Sequence, residues 1–159
     1  MRRSLFIFCT FLFLFVSGGT PYAVEDNQLV LPRCIEFSSH GNDVKDTADA
    51  MLEYVAQYLK DKPYITKLRV ESHVFTENTS TENLSLSLQR AALVSYYLTQ
   101  KGIDCNRLVP VAFGDTKPID SMGAPTNTRL EFYNAELNGN PVGGLPIDGS
   151  ALKRYNPCE

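Results

Sequence analysis

A chain of 159 residues, 43% hydrophobic, 21% charged and 11% aromatic, has room for one globular domain with tails and excludes wholesale disorder, collagen-like repeats and low complexity. Fifteen Lys and Arg stand against 18 Asp and Glu; the net charge of −3 becomes −5 once the acid-free first 23 residues, with Arg2 and Arg3, are set aside. No nucleic-acid partner is expected of so acidic a chain, and with only His40 and His73 present neither a His-rich metal centre nor another cofactor is expected.

The chain opens on a basic Met1-Arg2-Arg3, an apolar run over 5–16 and the small residues Ser17-Gly18-Gly19, the layout of a secretory signal peptide over 1–23 cleaved after Gly19 or Ala23. The run falls short of the roughly 20 residues of a membrane-spanning helix. Export permits disulfides. Cys34, Cys105 and Cys158 follow the leader and allow one bridge and one leftover thiol, in any of three pairings.

Residues 24–33 form an extension, and the alternating Cys34-Ile35-Glu36-Phe37 predicts a first strand. Val44, Ala48, Met51, Leu52, Val55 and Leu59 make one apolar stripe of a helix over 43–61 that Pro63 ends, while Tyr54 and Tyr58 lie off the stripe. A second strand with imperfect alternation spans 65–72, and 76–83 reads as a polar loop. A second helix runs from Ser85 or Ser87 to Lys101, with Leu86, Ala91, Val94 and Leu98 inward and Gly102 as its C-cap. Strands follow at 108–113 and 128–133, then a Gly- and Pro-rich tail over 134–159. The order β-α-β-α-β-β predicts an α/β fold: one mixed sheet with helices packed on it, the first three strands parallel. In that arrangement Cys34, Cys105 and Cys158 gather at the strand starts; Cys34–Cys105 and a bridge from Cys158 to either are both open.

Arg90 falls in the first turn of this second helix, where a cation faces the positive end of the helix dipole at a cost of roughly 0.3–1 kcal/mol. Either Glu77 or Glu82 pairs with it, or Arg90 and the helix-start N–H groups together bind an external anion, most simply a carboxylate. The place lies beyond the carboxyl ends of parallel strands, where ligands collect in α/β folds.

Several motifs occur in order: Ile35-x-Phe37; Val70-Glu71-Ser72-His73; Asn83-x-x-Leu86-Ser87-x-x-Arg90-Ala91; Lys101-Gly102-Ile103-Asp104; Gly114-Asp115-x-x-Pro118; Asn127-x-Arg129-x-Glu131-Phe132. With their spacing kept, they resemble the OmpA-like domain over about 34–133. The resemblance implies a non-enzymatic periplasmic domain, associated with the outer membrane or wall, in which an Asp after the second strand and the Arg of the second helix clamp the diaminopimelate of the peptidoglycan stem peptide. Arg90 matches that Arg. Phe75 stands where the Asp belongs, in Ser72-His73-Val74-Phe75 for the usual Gly-His-Thr-Asp, and Thr128 replaces the first Arg of the closing Asn-Arg-Arg.

A Phe neither accepts a hydrogen bond nor neutralises an ammonium. The resemblance makes Arg90, His73 and Arg129 candidate ligand residues, with Glu77 to supply the missing acid. Alternatively Val74 and Phe75 form a protein contact. Two functions follow. One is a structural subunit of an envelope-spanning assembly, secretion apparatus or motor, with other envelope proteins as partners and wall binding weakened or lost. The other is a peptidoglycan-binding module. His-Glu-x-x-His, Gly-x-Ser-x-Gly, P-loop and Gly-x-Gly-x-x-Gly motifs are absent, and no enzyme activity is expected.

Overall fold

The computed structural model describes residues 22–38, 43–119, 127–143 and 153–158; the apolar part of the expected leader, His40 and much of the tail lie outside the described residues. Asp26 and Asn27, at φ 47° and 67°, make the tight turn that folds β1 (Ala23–Glu25) onto β2 (Gln28–Val30). Positive φ at both turn positions suits Asp and Asn and matches the twist of a two-residue hairpin. A 3-10 turn at Asp46–Ala48 leads into α1 (Asp49–Asp61). Then come β3 (Ile65–His73), α2 (Ser80–Gln100), β4 (Leu108–Gly114), β5 (Arg129–Leu137), β6 (Asn140–Pro141) and β7 (Lys153–Arg154).

The mixed sheet runs β1-β2-β5-β3-β4-β7, with β6 on β5. Among the described residues only β3 and β4 pair in parallel. α1 and α2 cover one face, where Leu68, Val70, Leu108 and Phe132 of the sheet meet Leu52, Val55, Leu59, Val94 and Leu98 of the helices. Among the described residues no helix is long and apolar enough to cross a membrane.

Three sequence expectations change, and one expected irregularity is explained. Residues 34–37 do not form a sheet strand: they make one bridge, Phe37 to Val44, while β2 takes the place beside β5. Pro32 interrupts the ladder, yet Ile35 still enters the core. The imperfect alternation of β3 reflects register shifts between Ile65 and Leu68, which turn residues out of strict period two. The fourth strand continues past Tyr133 to Leu137, where Asn138-Gly139, both at positive φ, turn it into β6. Finally, Lys153–Arg154 add antiparallel to β4, so part of the tail belongs to the sheet.

The start of α2 also moves. Thr79 caps it: its hydroxyl oxygen accepts from the Glu82 N–H at 3.3 Å, and the Glu82 carboxylate accepts from the Thr79 N–H at 2.9 Å. This reciprocal capping box draws Ser80 to Asn83 out of the expected loop and into the helix. The buried face is more polar than expected, with Asn83, Ser87 and Ser95 beside Ala91, Val94 and Leu98. Each polar group is satisfied: Ser87 Oγ accepts from Gly114 N at 2.9 Å, and Asn83 Nδ2 donates to Asp115 at 3.2 Å. Gly114 has φ +56°, and a Cβ there would lie 2.9 Å from Leu84 N, so the strand end and the helix start meet only at glycine. At the other end Gly102, φ +85°, closes α2 as expected.

Candidate functional site

A cavity of about 520 Å³ opens at the carboxyl end of β3. The segment 34–37, Lys45, Phe75 and Thr76 from the end of β3, Arg90 from α2, and Thr128 with Arg129 at the start of β5 line it. Thr128, in the place of an arginine in the motif, fixes the neighbouring turn: its Oγ1 accepts from Phe75 N at 3.0 Å and donates to Phe75 O at 3.1 Å.

Arg90 sits ten residues after Ser80, so it is not in the first turn, and the helix-start N–H groups are not its companions. The capping box explains the displacement, and with it the dipole penalty disappears. Neither acid pairs with Arg90: Glu82 is held by Thr79, and Glu77 is exposed outside the cavity lining. Instead the Arg90 guanidinium carbon lies 4.5 Å from the Phe37 ring centre, a cation–π contact. Its Nε is buried without a hydrogen-bond partner, and among the described residues no carboxylate forms an ion pair with it. Burial pushes the Arg90 pKa down, but a guanidinium does not lose its proton in a protein. The cavity therefore contains a half-buried, uncompensated positive charge. Its other cations are engaged: Lys45 pairs with Glu36 at 2.6 Å, and Arg129 Nε with Glu131 at 2.9 Å. Phe75 is half-buried and, with Ile35 and Phe37, makes the apolar part of the lining.

Other expected site residues are redistributed. Val74 is 0% exposed and belongs to the interior, so it is no surface for a partner; only Phe75 of that pair reaches the cavity. His73 points to the opposite face of the sheet, because side chains alternate along β3, and lines a different cavity with Arg69, Glu71 and Glu131. Among the described residues Arg129 alone lines both cavities.

The cysteines also part company. Cys105, before β4, bonds Cys158, Cα to Cα 5.3 Å, at the strand-start end of the sheet. Cys34 is exposed, outside any disulfide, and lines the Arg90 cavity. Since 34–37 is not a strand parallel to β3, its start does not lie beside Cys105. Tyr58, expected off the stripe, is 1% exposed and bonds Asn134. Tyr22 packs on both Tyr54 and Tyr58, 5.1 and 5.0 Å between ring centres, so this helix face receives the residue that immediately precedes β1.

Phe37, Thr128 and the Glu36–Lys45 pair were not singled out as site residues. Phe37 carried a signal in the Ile35-x-Phe37 motif, but its role depends on a tertiary contact with α2.

Two helices on one face of an open mixed sheet, with a cation-bearing cavity at the end of its central strand, define the class: a small α/β domain of OmpA-like architecture. The model of the OmpA family matches residues 36–130, more than half of the sequence, and the chain belongs to that family. A peptidoglycan-associated lipoprotein of Rhizobium meliloti is 29% identical over 102 residues, covering 64% of this chain and 57% of that protein. The chain thus matches little more than half the length of that relative. The crystal structure of the peptidoglycan-associated lipoprotein from Burkholderia pseudomallei superposes with a TM-score of 0.55 at 26% identity, over 66% of this chain and 87% of the other. The cell-wall anchor of the T6SS from Pseudomonas aeruginosa does so with 0.52 at 25%, over 60% and 71%.

Proposed function

We propose that this is a non-enzymatic, exported envelope domain that holds a carboxylate of the wall peptide at Arg90 and holds it weakly, serving as a structural piece of an outer-membrane or envelope-spanning assembly. The observation that carries the reading is the uncompensated Arg90 guanidinium in an open cavity. A ligand carboxylate there gains a charge-assisted hydrogen bond and neutralises a desolvated charge. Phe75, on the same lining, offers nothing to an ammonium. A zwitterionic diaminopimelate end would therefore be gripped by one of its two charges. The relatives named for peptidoglycan association and the T6SS wall anchor support the envelope setting.

Leader cleavage after Gly19 fits this reading better than cleavage after Ala23, because it keeps Tyr22 on the Tyr54–Tyr58 face and Ala23 in β1. Co-sedimentation with purified sacculi tests the function. Wild type is expected to sediment partially and Arg90→Ala not at all; equal sedimentation of the two would refute a role for the cavity.

A further inference from the structure

The sheet face turned away from the helices carries a second polar cluster that wall binding does not use. Glu71 and Glu131 stand directly opposite each other across β3 and β5. Like charges so placed repel, and here both are largely buried. Each Oε1 is occupied by an arginine: Arg69 Nε pairs with Glu71 Oε1, and Arg129 Nε with Glu131 Oε1 at 2.9 Å. Both Oε2 atoms turn to His73, whose Nε2 is 3.3 Å from Glu131 Oε2 and 3.6 Å from Glu71 Oε2.

His73 is 2% exposed and stacked on Phe113 with ring centres 4.9 Å apart. Neither of its ring nitrogens makes a hydrogen bond of acceptable geometry among the described residues. A buried imidazole left that way is uncommon. Stacking and the strand backbone fix the ring with Nε2 toward the two carboxylates.

We propose that Glu71, His73 and Glu131 form a site for a divalent ion of the Zn²⁺ class. The ligand atoms of the three residues all lie within 4.8 Å of one another. Atoms bound to a tetrahedral ion at about 2.0–2.1 Å are about 3.3–3.4 Å apart, close to the separations from His73. One nitrogen and two carboxylate oxygens suit Zn²⁺ better than Mg²⁺ or Ca²⁺, which prefer all-oxygen shells. Two carboxylates balance the ion's charge and remove the repulsion across the strands. Arg69 and Arg129, each on the other carboxylate oxygen, orient the ligands in the manner of outer-shell partners. The fourth position faces a cavity of about 480 Å³ that Lys117 also lines, which favours water or a small anion there.

Zinc titration of the full chain, stripped of metal with a chelator, tests this by calorimetry and by the Zn²⁺-dependent rise in Tm. One ion per chain is expected, and Co²⁺ in its place gives the intense visible bands of a tetrahedral site. His73→Gln and Glu131→Gln each weaken binding at least tenfold, while the surface variant Glu53→Gln and the thiol variant Cys34→Ser leave it unchanged. If the His73 variant fails to fold, Glu131→Gln and the wild-type Co²⁺ spectrum still decide. No Zn²⁺-linked rise in wild-type Tm, an octahedral Co²⁺ spectrum, loss of binding in Cys34→Ser, or undiminished binding in Glu131→Gln would each overturn the proposal. Sacculus binding is a separate readout, so failure here leaves the Arg90 reading standing.

Discussion

Arg90 lays its guanidinium carbon 4.5 Å from the centre of the Phe37 ring and so joins α2 to the segment that closes the cavity. The contact orients the arginine without neutralising it. A half-buried cation without a counter-ion opposes folding, and a cation–π contact of roughly 0.5–2 kcal/mol offsets only part of that cost. Arg90→Leu is accordingly predicted to retain or raise Tm while abolishing carboxylate binding. Thermal melts and sacculus sedimentation on the same variant check it; a Tm lowered by many degrees would mean that Arg90 serves stability instead.

The capping box predicts a pH-dependent term. The Glu82 carboxyl lies below its ordinary value because first the Thr79 hydroxyl and then the Thr79 N–H donate to it. A depressed carboxylate stabilises the fold above its unfolded pKa, and that contribution fades as pH falls through the folded-state value. Thr79→Ala should cost about 1 kcal/mol near pH 7. The difference from wild type should shrink in acid, as denaturant melts at several pH values would show.

Arg107 fastens three elements together. Its guanidinium donates to Leu59 O at 2.8 Å, Ile65 O at 2.8 Å and Lys62 O at 3.3 Å, satisfying carbonyls at the end of α1 and the start of β3. Arg107→Ala should destabilise by about 2–3 kcal/mol, since several charge-assisted bonds are lost together. Arg107→Lys should recover less than half of that, because an ammonium cannot span the three acceptors. Chemical denaturation of the two variants distinguishes a bonding role from mere side-chain bulk.

The Cys105–Cys158 bridge closes a span of 53 residues. In the chain-entropy treatment that is worth about 4 kcal/mol. It also holds β7 against β4, where Val111 meets Arg154 and Ala112 meets Lys153. Cys105→Ser with Cys158→Ser should lower stability by about that amount and speed amide exchange in β4, while β5 stays protected between β2 and β3. Uniform acceleration across the sheet would indicate that the bridge acts globally and not on the β4 edge.

The parts of the fold legible in sequence were those set by local periodicity and punctuation. The stripe of α1 from Met51 to Leu59, Pro63 after it, Gly102 after α2 and the apolar strands β3 and β4 follow from spacing and punctuation, whereas the helix expected from residue 43 starts only at Asp49, because Val44 bridges Phe37 and Asp46–Ala48 form a 3-10 turn. Asp26-Asn27, Asn138-Gly139 and Thr79-x-x-Glu82 also carried usable signals, two hairpin turns and a capping box, but polar neighbours made them read as extension, tail and loop. The site was half legible. Arg90 and Phe75 were identifiable by motif position, and both line the cavity. Arg90's contact with Phe37 and the opposite-face placement of His73 depend on packing and pleat, which no local pattern encodes. The row Arg69, Glu71, His73, alternating on a strand whose other face is apolar, was the available sign of a second polar surface.

The central claim is that Arg90 provides one half of a clamp whose other half Phe75 has removed. Calorimetric titration of wild type, Arg90→Ala and Phe75→Asp with a soluble muropeptide ending in diaminopimelate tests it most directly. The account predicts weak binding by wild type, none by Arg90→Ala and at least tenfold tighter binding by Phe75→Asp, in which a carboxylate would meet the ligand's ammonium. Equal binding by wild type and Arg90→Ala, or no gain in Phe75→Asp, would contradict it.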